Sequence, residues 1–202
     1  MRILVACEFS GIVRDAFLRR GHDARSCDLL PTEAPGSHHQ GDIIAYLSWL
    51  PDSHFDLIIL HPDCTRMALC GNGTYAPKGV MSDGRKEAIE WTLALWTLAK
   101  KKGRRVCLEN PGSVIFPLLR KRGALVQYVQ PWQFGHPETK KTGFALHGLL
   151  PLKETENVYE FMVTLPKKKR HKVWYASPGK NRGQDRSRSY PGIAKAMAEQ
   201  WG

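Results

Sequence analysis

The sequence predicts an α/β protein with a Rossmann-like, mostly parallel sheet covered by helices on both faces. Three observations support this. Short apolar runs of strand length recur at residues 3–7, 55–60 and 104–108. Helical patterns separate them, the alternation that gives parallel strands joined by right-handed crossovers. Acids and a cysteine fall directly after these runs, at the edge where open α/β sheets hold their ligands.

Each element can be justified in turn. Residues 3–7 read as a strand, and 13–20 as an amphipathic helix stopped by Gly21. Residues 23–27 form a weaker strand ending at Asp28, and 29–40, rich in proline, glycine and histidine, read as loop. A short helical turn over 43–50 follows Asp42 and precedes the strand Phe55–Leu60. The polar stretch 66–84 reads as a long functional loop. Residues 85–102 have helical spacing with Trp91, Leu95 and Leu98 on one side, closing in lysines and Gly103. Strand 104–108 runs into Glu109-Asn110-Pro111, helix 114–122 follows, then strands 125–129 and 142–149. Residues 159–165 read as a further strand, and 191–200 as a final helix opened by a proline at its first turn.

At 202 residues and 42% hydrophobic content, the chain fits one domain spanning 1–202 with its own core. No apolar run reaches the length of a membrane span, and Met1-Arg-Ile-Leu-Val-Ala lacks a signal-peptide layout, so a cytoplasmic protein without a membrane partner is expected. The five cysteines (Cys7, Cys27, Cys64, Cys70, Cys107) include no Cys-x-x-Cys pair, which argues against a disulfide framework and a zinc site; no metal is expected.

A formal net charge of +11 favours polyanions, nucleic acid first. The charge gathers at Lys167, Lys168, Lys169, Arg170 and Lys172, and again towards Arg186 and Arg188. Trp174 and Tyr175 follow the first group and offer stacking surfaces beside it.

The chemistry centres on His61-Pro62-Asp63-Cys64-Thr65, a proline turn directly off a strand. Cys64 there is either a thiolate nucleophile or a small buried apolar residue. The turn Cys7-Glu8-Phe9-Ser10-Gly11 after the first strand, with Asp28 and Asp42 at the next two strand ends, is arranged like a cofactor cradle. In it Gly11 permits close backbone approach, Asp28 accepts from ribose hydroxyls and Asp42 from an adenine amine.

Taken together, the segments resemble the cytosine-5 DNA methyltransferases, in particular compact phage and prophage members. Phe9-Ser10-Gly11 is similar to that family's Phe-x-Gly turn, and Pro62-Asp63-Cys64-Thr65 to its Pro-Pro-Cys-Gln. Glu109-Asn110-Pro111 is similar to Glu-Asn-Val. The stretch from Phe134-Gly135-His136-Pro137 to Lys140-Lys141-Thr142 is similar to Phe-Gly-x-Pro-Gln-x-Arg-x-Arg, and Tyr190-Pro191-Gly192-Ile193 onward to the closing proline turn and helix. The five motifs run in family order from end to end.

The resemblance implies an S-adenosylmethionine-dependent methyltransferase fold and methyl transfer to carbon 5 of cytosine, in DNA first. Cys64 would attack carbon 6, and Glu109, carrying a proton and so having a raised pKa, would bond the ring nitrogen and exocyclic amine. S-Adenosyl-L-methionine would lie against Phe9, Ser10, Gly11, Ile12, Asp28, Asp42, Pro62 and Ile193. Nucleic acid would meet Asn110, Lys140, Lys141, Lys167, Lys168, Lys169, Arg170, Arg186 and Arg188.

Departures from the pattern define the alternatives. The turn holds a single glycine, Asp63 replaces a proline beside the thiol, and Lys140 and Thr142 stand where arginines belong. Residues 150–188 form a short basic insertion in place of a target-recognition domain, so a partner subunit for target choice, or an RNA or free-nucleotide substrate, is an alternative. A further alternative is a methyltransferase fold that binds nucleic acid without catalysis.

Overall fold

The structure is a computed structural model that describes residues 1–77, 79–176 and 182–202. In chain order its elements are β1 (Arg2–Ala6), α1 (Ile12–Leu18), β2 (Asp23–Asp28), β3 (His38–Gln40), α2 (Ile43–Ser48), β4 (Phe55–Leu60), α3 (Asn72–Tyr75), α4 (Ser82–Lys102), β5 (Gly103–Pro111), α5 (Ile115–Lys121), β6 (Leu125–Val129), β7 (Thr142–His147), α6 (Tyr159–Thr164), α7 (Lys167–Arg170), α8 (Arg182–Ser187) and α9 (Pro191–Trp201).

The seven strands form one sheet in the order β3-β2-β1-β4-β5-β7-β6. The β3-β2-β1-β4-β5 pairings are parallel, whereas β7 runs antiparallel to both of its neighbours. The order reverses between β1 and β4, and ligand crevices in such sheets open at that switch point.

Strand geometry sends alternate side chains to opposite faces, so each central strand feeds two cores. Ile3, Val5, Leu57 and Ile59 pack with Val13 and Phe17 of α1 and with Ile193, Ala194, Met197 and Trp201 of α9. Leu4, Ala6, Ile58, Leu60, Val106 and Leu108 pack with Leu47 of α2, Leu95 and Trp96 of α4 and Phe116 of α5. Both faces are therefore covered, as the sequence predicts.

The differences from expectation have physical causes. The loop 29–40 ends in β3, a three-residue strand that adds to the sheet beside β2. Strand β5 continues through Glu109-Asn110-Pro111, because Pro111 pairs in register with Thr142 of the reversed β7. The stretch 66–84 includes α3 and the first turn of α4. On α4 the buried tryptophan is Trp96, while Trp91 is 38% exposed.

Residues 159–165, rich in aromatic and β-branched residues, fold as helix α6 rather than strand. Only Met162 of α6 is buried, and Tyr159 sets its ring edge against Trp132 at 5.0 Å between centroids. Strand propensity expresses a fit to a pleated, half-buried surface, and among the described residues no sheet partner meets this segment. The stretch leading to α6 is fastened to the domain, with Leu152 and Gln127 exchanging two hydrogen bonds and the Trp201 indole donating to the Leu150 carbonyl.

Candidate active site

The carboxyl edge at the switch point gathers the sequence-predicted pair. The His61 backbone N–H donates to the Ala6 carbonyl at 2.9 Å, tying the exit of β4 to that of β1. Pro62 is buried, and its carbonyl accepts from the Asn110 amide at 3.0 Å, which fastens the cysteine turn to β5. The Asn110 side-chain oxygen is buried without a partner. Beyond the proline, the Cys64 carbonyl accepts from the N–H groups of Met67 and Ala68, forming a helical turn.

Asp63 has a local explanation. Its carboxylate accepts from the Thr65 backbone N–H at 3.0 Å and from the Thr65 hydroxyl at 2.7 Å, so it caps the turn that presents the cysteine.

Glu109 acts on Cys64. Burial first, then the charges of Glu109 and Asp63, push the Cys64 thiol up to about 11, while Lys140 pulls it down. Lys140 also acts on Glu109, so the thiol and the carboxyl share one cation. Lys140 is held by its Nζ donating to the Arg186 carbonyl at 3.0 Å, with the Tyr190 ring 5.7 Å away.

Glu109 departs from expectation. Its side chain is 13% exposed, and burial alone would push the carboxyl up. The hydrogen bond from His61, the Lys140 charge and the His61 charge outweigh that, leaving it below the usual carboxylate range. In the free protein Glu109 is therefore an acceptor without the proton that its proposed role needs. His61 makes this difference: its Nδ1 lies 3.2 Å from Glu109 Oε2, and its side chain is only 8% exposed. Sequence reasoning places His61 in the turn without a role; its position one residue beyond a buried strand was the available signal.

The β1 turn also differs from expectation. Gly11 takes a left-handed φ of 75°, but a Cβ there would lie 2.6 Å from Arg14 Nη2 and 3.0 Å from Ala34 Cβ. The glycine thus makes room for Arg14 rather than for a ligand. Arg14 is fully buried and fastens the loop after β2, bonding Ser26, Thr32 and the carbonyls of Ala34 and Pro35.

Glu8, 5% exposed, occupies the amino end of α1 and accepts from Val13 N–H at 2.7 Å and from the Ser10 hydroxyl. Phe9 offers its carbonyl to Glu33 N–H, and Ile12 packs on the α1–α9 core. Ile193 is 4% exposed in that core. Its packing there accounts for it without a cofactor.

Asp28 and Asp42 both act on Cys7. After burial, both raise the Cys7 thiol, so carboxylates from two elements face the end of β1. Burial raises Asp28 itself, and Asp42 caps α2 by accepting from Ala45 N–H at 2.8 Å. Such a pair suits a ligand that presents hydroxyl or amine donors. Cys7 holds a left-handed φ of 57°, which among the described non-glycine residues recurs only at Ser53, in a turn.

The basic residues divide. Lys167, His171, Trp174, Tyr175, Arg186, Val173 and Thr139 line an open cavity of about 430 Å³, and Thr139 adjoins Lys140 in the chain. Lys168 and Lys169 are exposed beside it. Lys141 instead lies over the Tyr128 ring at 4.5 Å, and Arg188 forms a two-pronged ion pair with Glu33 at 2.6 and 3.1 Å. Both have partners within the protein. Thr142 is buried, its hydroxyl donating to the Lys140 carbonyl. No group of metal-ligating side chains occurs among the described residues, and no described helix is long and apolar enough to cross a membrane.

No family model and no curated protein matches the chain. Among solved structures, it overlaps an E. coli protein described as a DNA modification methyltransferase encoded within a prophage, at 12% identity and a TM-score of 0.47 over 72% of this chain and 46% of that one. It also overlaps the S. pombe Dnmt2 methyltransferase (18%, 0.44, 72% and 48%) and the delta-N METTL16 methyltransferase domain (13%, 0.40, 72% and 73%). The chain spans about half the length of the first two. At such identity and overlap these likenesses bear on neither substrate nor chemistry.

Proposed function

We infer that the protein is an S-adenosylmethionine-dependent methyltransferase acting on carbon 5 of cytosine in DNA. The observation that carries this reading is that Cys64 follows β4 and Glu109 lies on the neighbouring β5 at the switch point, with Cys64 in the field of Glu109 and both in that of Lys140. A pyrimidine ring needs such a pair: a sulfur to add at carbon 6 and a carboxyl to bond the ring nitrogen on the opposite edge.

The cofactor side supports it too. Glu8 sits at the amino end of α1, where dinucleotide-binding sheets receive a pyrophosphate, and it already accepts the Val13 N–H and the Ser10 hydroxyl there. S-Adenosylmethionine carries no phosphate, and its hydroxyls and amines suit Asp28 and Asp42. When bound there, it supplies an electrophilic methyl group.

The residues then have distinct tasks. Cys64 gives its proton to solvent and adds through sulfur to carbon 6. Glu109 bonds the ring nitrogen and stabilises the electron-rich ring that the addition creates. Asn110 holds the cysteine turn against β5, and Lys140 offsets the negative charge between thiolate and carboxylate. Lys167, Lys168 and Lys169, with Trp174, face the substrate backbone and bases, and the segment 150–188 takes the place of a target-recognition domain.

The test is transfer of tritiated methyl from S-adenosylmethionine to DNA, with Cys64→Ser as control. Wild-type protein is expected to label DNA and to form an irreversible adduct on DNA containing 5-fluorocytosine, and the variant to do neither. Cofactor binding without an adduct on DNA, RNA or nucleotide would overturn the cytosine reading.

A further inference from the structure

The structure leaves the candidate site short of a proton. Bonding of Glu109 to an unprotonated ring nitrogen requires a carboxylic acid, yet His61 and Lys140 keep the carboxyl ionised against the pull of burial. Across the 3.2 Å contact lies an imidazole that is 8% exposed, with its other nitrogen, Nε2, buried and without a hydrogen-bond partner. A buried polar atom left unpaired costs free energy, so the ring is not placed here for packing alone.

The groups facing His61 come from every neighbouring strand end. Glu109 lies on β5, Glu8 in the turn after β1 and Asp28 at the end of β2, and all three carboxyls feel the His61 charge. Lys140, ahead of β7, also acts on Glu109, and Asp63 and Cys64 lie two and three residues beyond His61 in its own turn.

We propose that His61 carries the proton that Glu109 delivers to the ring. This rests on the cytosine reading above. In this relay the proton starts on His61 Nδ1, within hydrogen-bond reach of the Glu109 carboxylate. When the base fills the site, the Nδ1–H bond breaks and the proton passes to Glu109 Oε2, leaving a neutral imidazole. Glu109 then donates to the ring nitrogen as sulfur adds at carbon 6. Once carbon 5 has lost its proton to solvent, the thiolate is expelled, the aromatic ring returns and the proton on the ring nitrogen goes back through Glu109 to His61, so no proton is consumed by the relay. Imidazole suits the task because it gains and loses a proton near neutral pH, which an amide or hydroxyl does not.

His61→Asn separates relay from mere orientation, since the Asn amide retains a donor towards Glu109 but cannot carry a proton. The variant is expected to melt with the wild type and to bind S-adenosylmethionine equally well. Its rate of adduct formation on a 5-fluorocytosine oligonucleotide should fall at least about tenfold at pH 7.5, with the optimum moved to lower pH, where Glu109 takes its proton from water. In the free protein, the Glu109 carboxyl followed by ¹³C NMR should titrate at higher pH in the variant than in the wild type.

An adduct rate and pH profile within about twofold of wild type would reduce His61 to an orienting role and overturn the proposal. An unchanged Glu109 titration would overturn the coupling itself. If wild-type protein forms no adduct at all, the cytosine reading fails and the relay to the ring with it; the Glu109 titration, which needs no substrate, tells that failure apart from an uncoupled pair.

Discussion

Cys64 should be a slow nucleophile until substrate arrives, and the size of the effect follows from its surroundings. With its thiol pushed to about 11 by burial and by Glu109 and Asp63, roughly 3 in 10,000 molecules carry the thiolate at pH 7.5. An ordinary thiol near 8.5 is about 9% ionised at that pH, so Cys64 has about 300-fold less thiolate. A more basic thiolate is also a better nucleophile, which recovers roughly tenfold over this span and leaves a deficit of about 20- to 30-fold. The assay is iodoacetamide labelling in a Cys70→Ser background, since Cys70 is exposed, followed by peptide mapping at Cys64. Because the thiol's pKa is raised, the rate should climb about tenfold per pH unit from pH 7 to 10 without levelling. A plateau below pH 9 would refute the electrostatic reading. Glu109→Gln, which removes the second-largest cause of the shift, should speed labelling several-fold while abolishing methyl transfer.

Other consequences can be measured separately. Gly143→Ala should lower stability by about 1–3 kcal/mol, because the added methyl group would collide with the Phe116 ring and approach Tyr128 to 2.9 Å; an unchanged urea midpoint would contradict it. Arg14→Met should cost about 3 kcal/mol by stranding Asp15 and the carbonyls of Ala34 and Pro35, and should open residues 29–36 to limited proteolysis. Replacing Lys167, Lys168 and Lys169 by alanine should weaken DNA binding and reduce the slope of log affinity against log salt by about 0.9 for each phosphate no longer neutralised. A flat salt dependence in the wild type would remove nucleic acid as the partner.

Much of this architecture was legible because its signals are local. The run Phe55–Leu60 is apolar throughout except for Asp56, close to what a strand buried on both faces must be, and it forms β4 with those limits. Pro191 begins α9 at the position where a missing N–H costs nothing. What stayed hidden depends on partners distant in the chain. His38–Gln40 carries no strand pattern and extends only because β2 offers an open edge. Gly11 suggested room for a ligand, and nothing nearby in sequence could show that Arg14 and Ala34 fill that room. The same holds for Glu109. Its position at a strand end was readable, but whether it holds a proton depends on His61, 48 residues away.

The reversal of β7 has a consequence for how such a protein can diversify. Because the strand runs against its neighbours, its first residue, Thr142, lies beside Pro111 at the ligand edge, and the preceding Lys140 arrives there from a loop. Ladders on both sides pin the strand itself, so a one-residue slip within it would turn every side chain to the wrong face. The stretch ahead of it is held as well: Phe134 is buried, the Gly135 N–H donates to the Glu156 carbonyl, the Thr139 N–H to the Arg170 carbonyl and the Lys140 N–H to the Gln130 side chain. An insertion between β6 and β7 would therefore shift the cation that Cys64 and Glu109 share, so this approach to the strand is a poor place to add recognition surface.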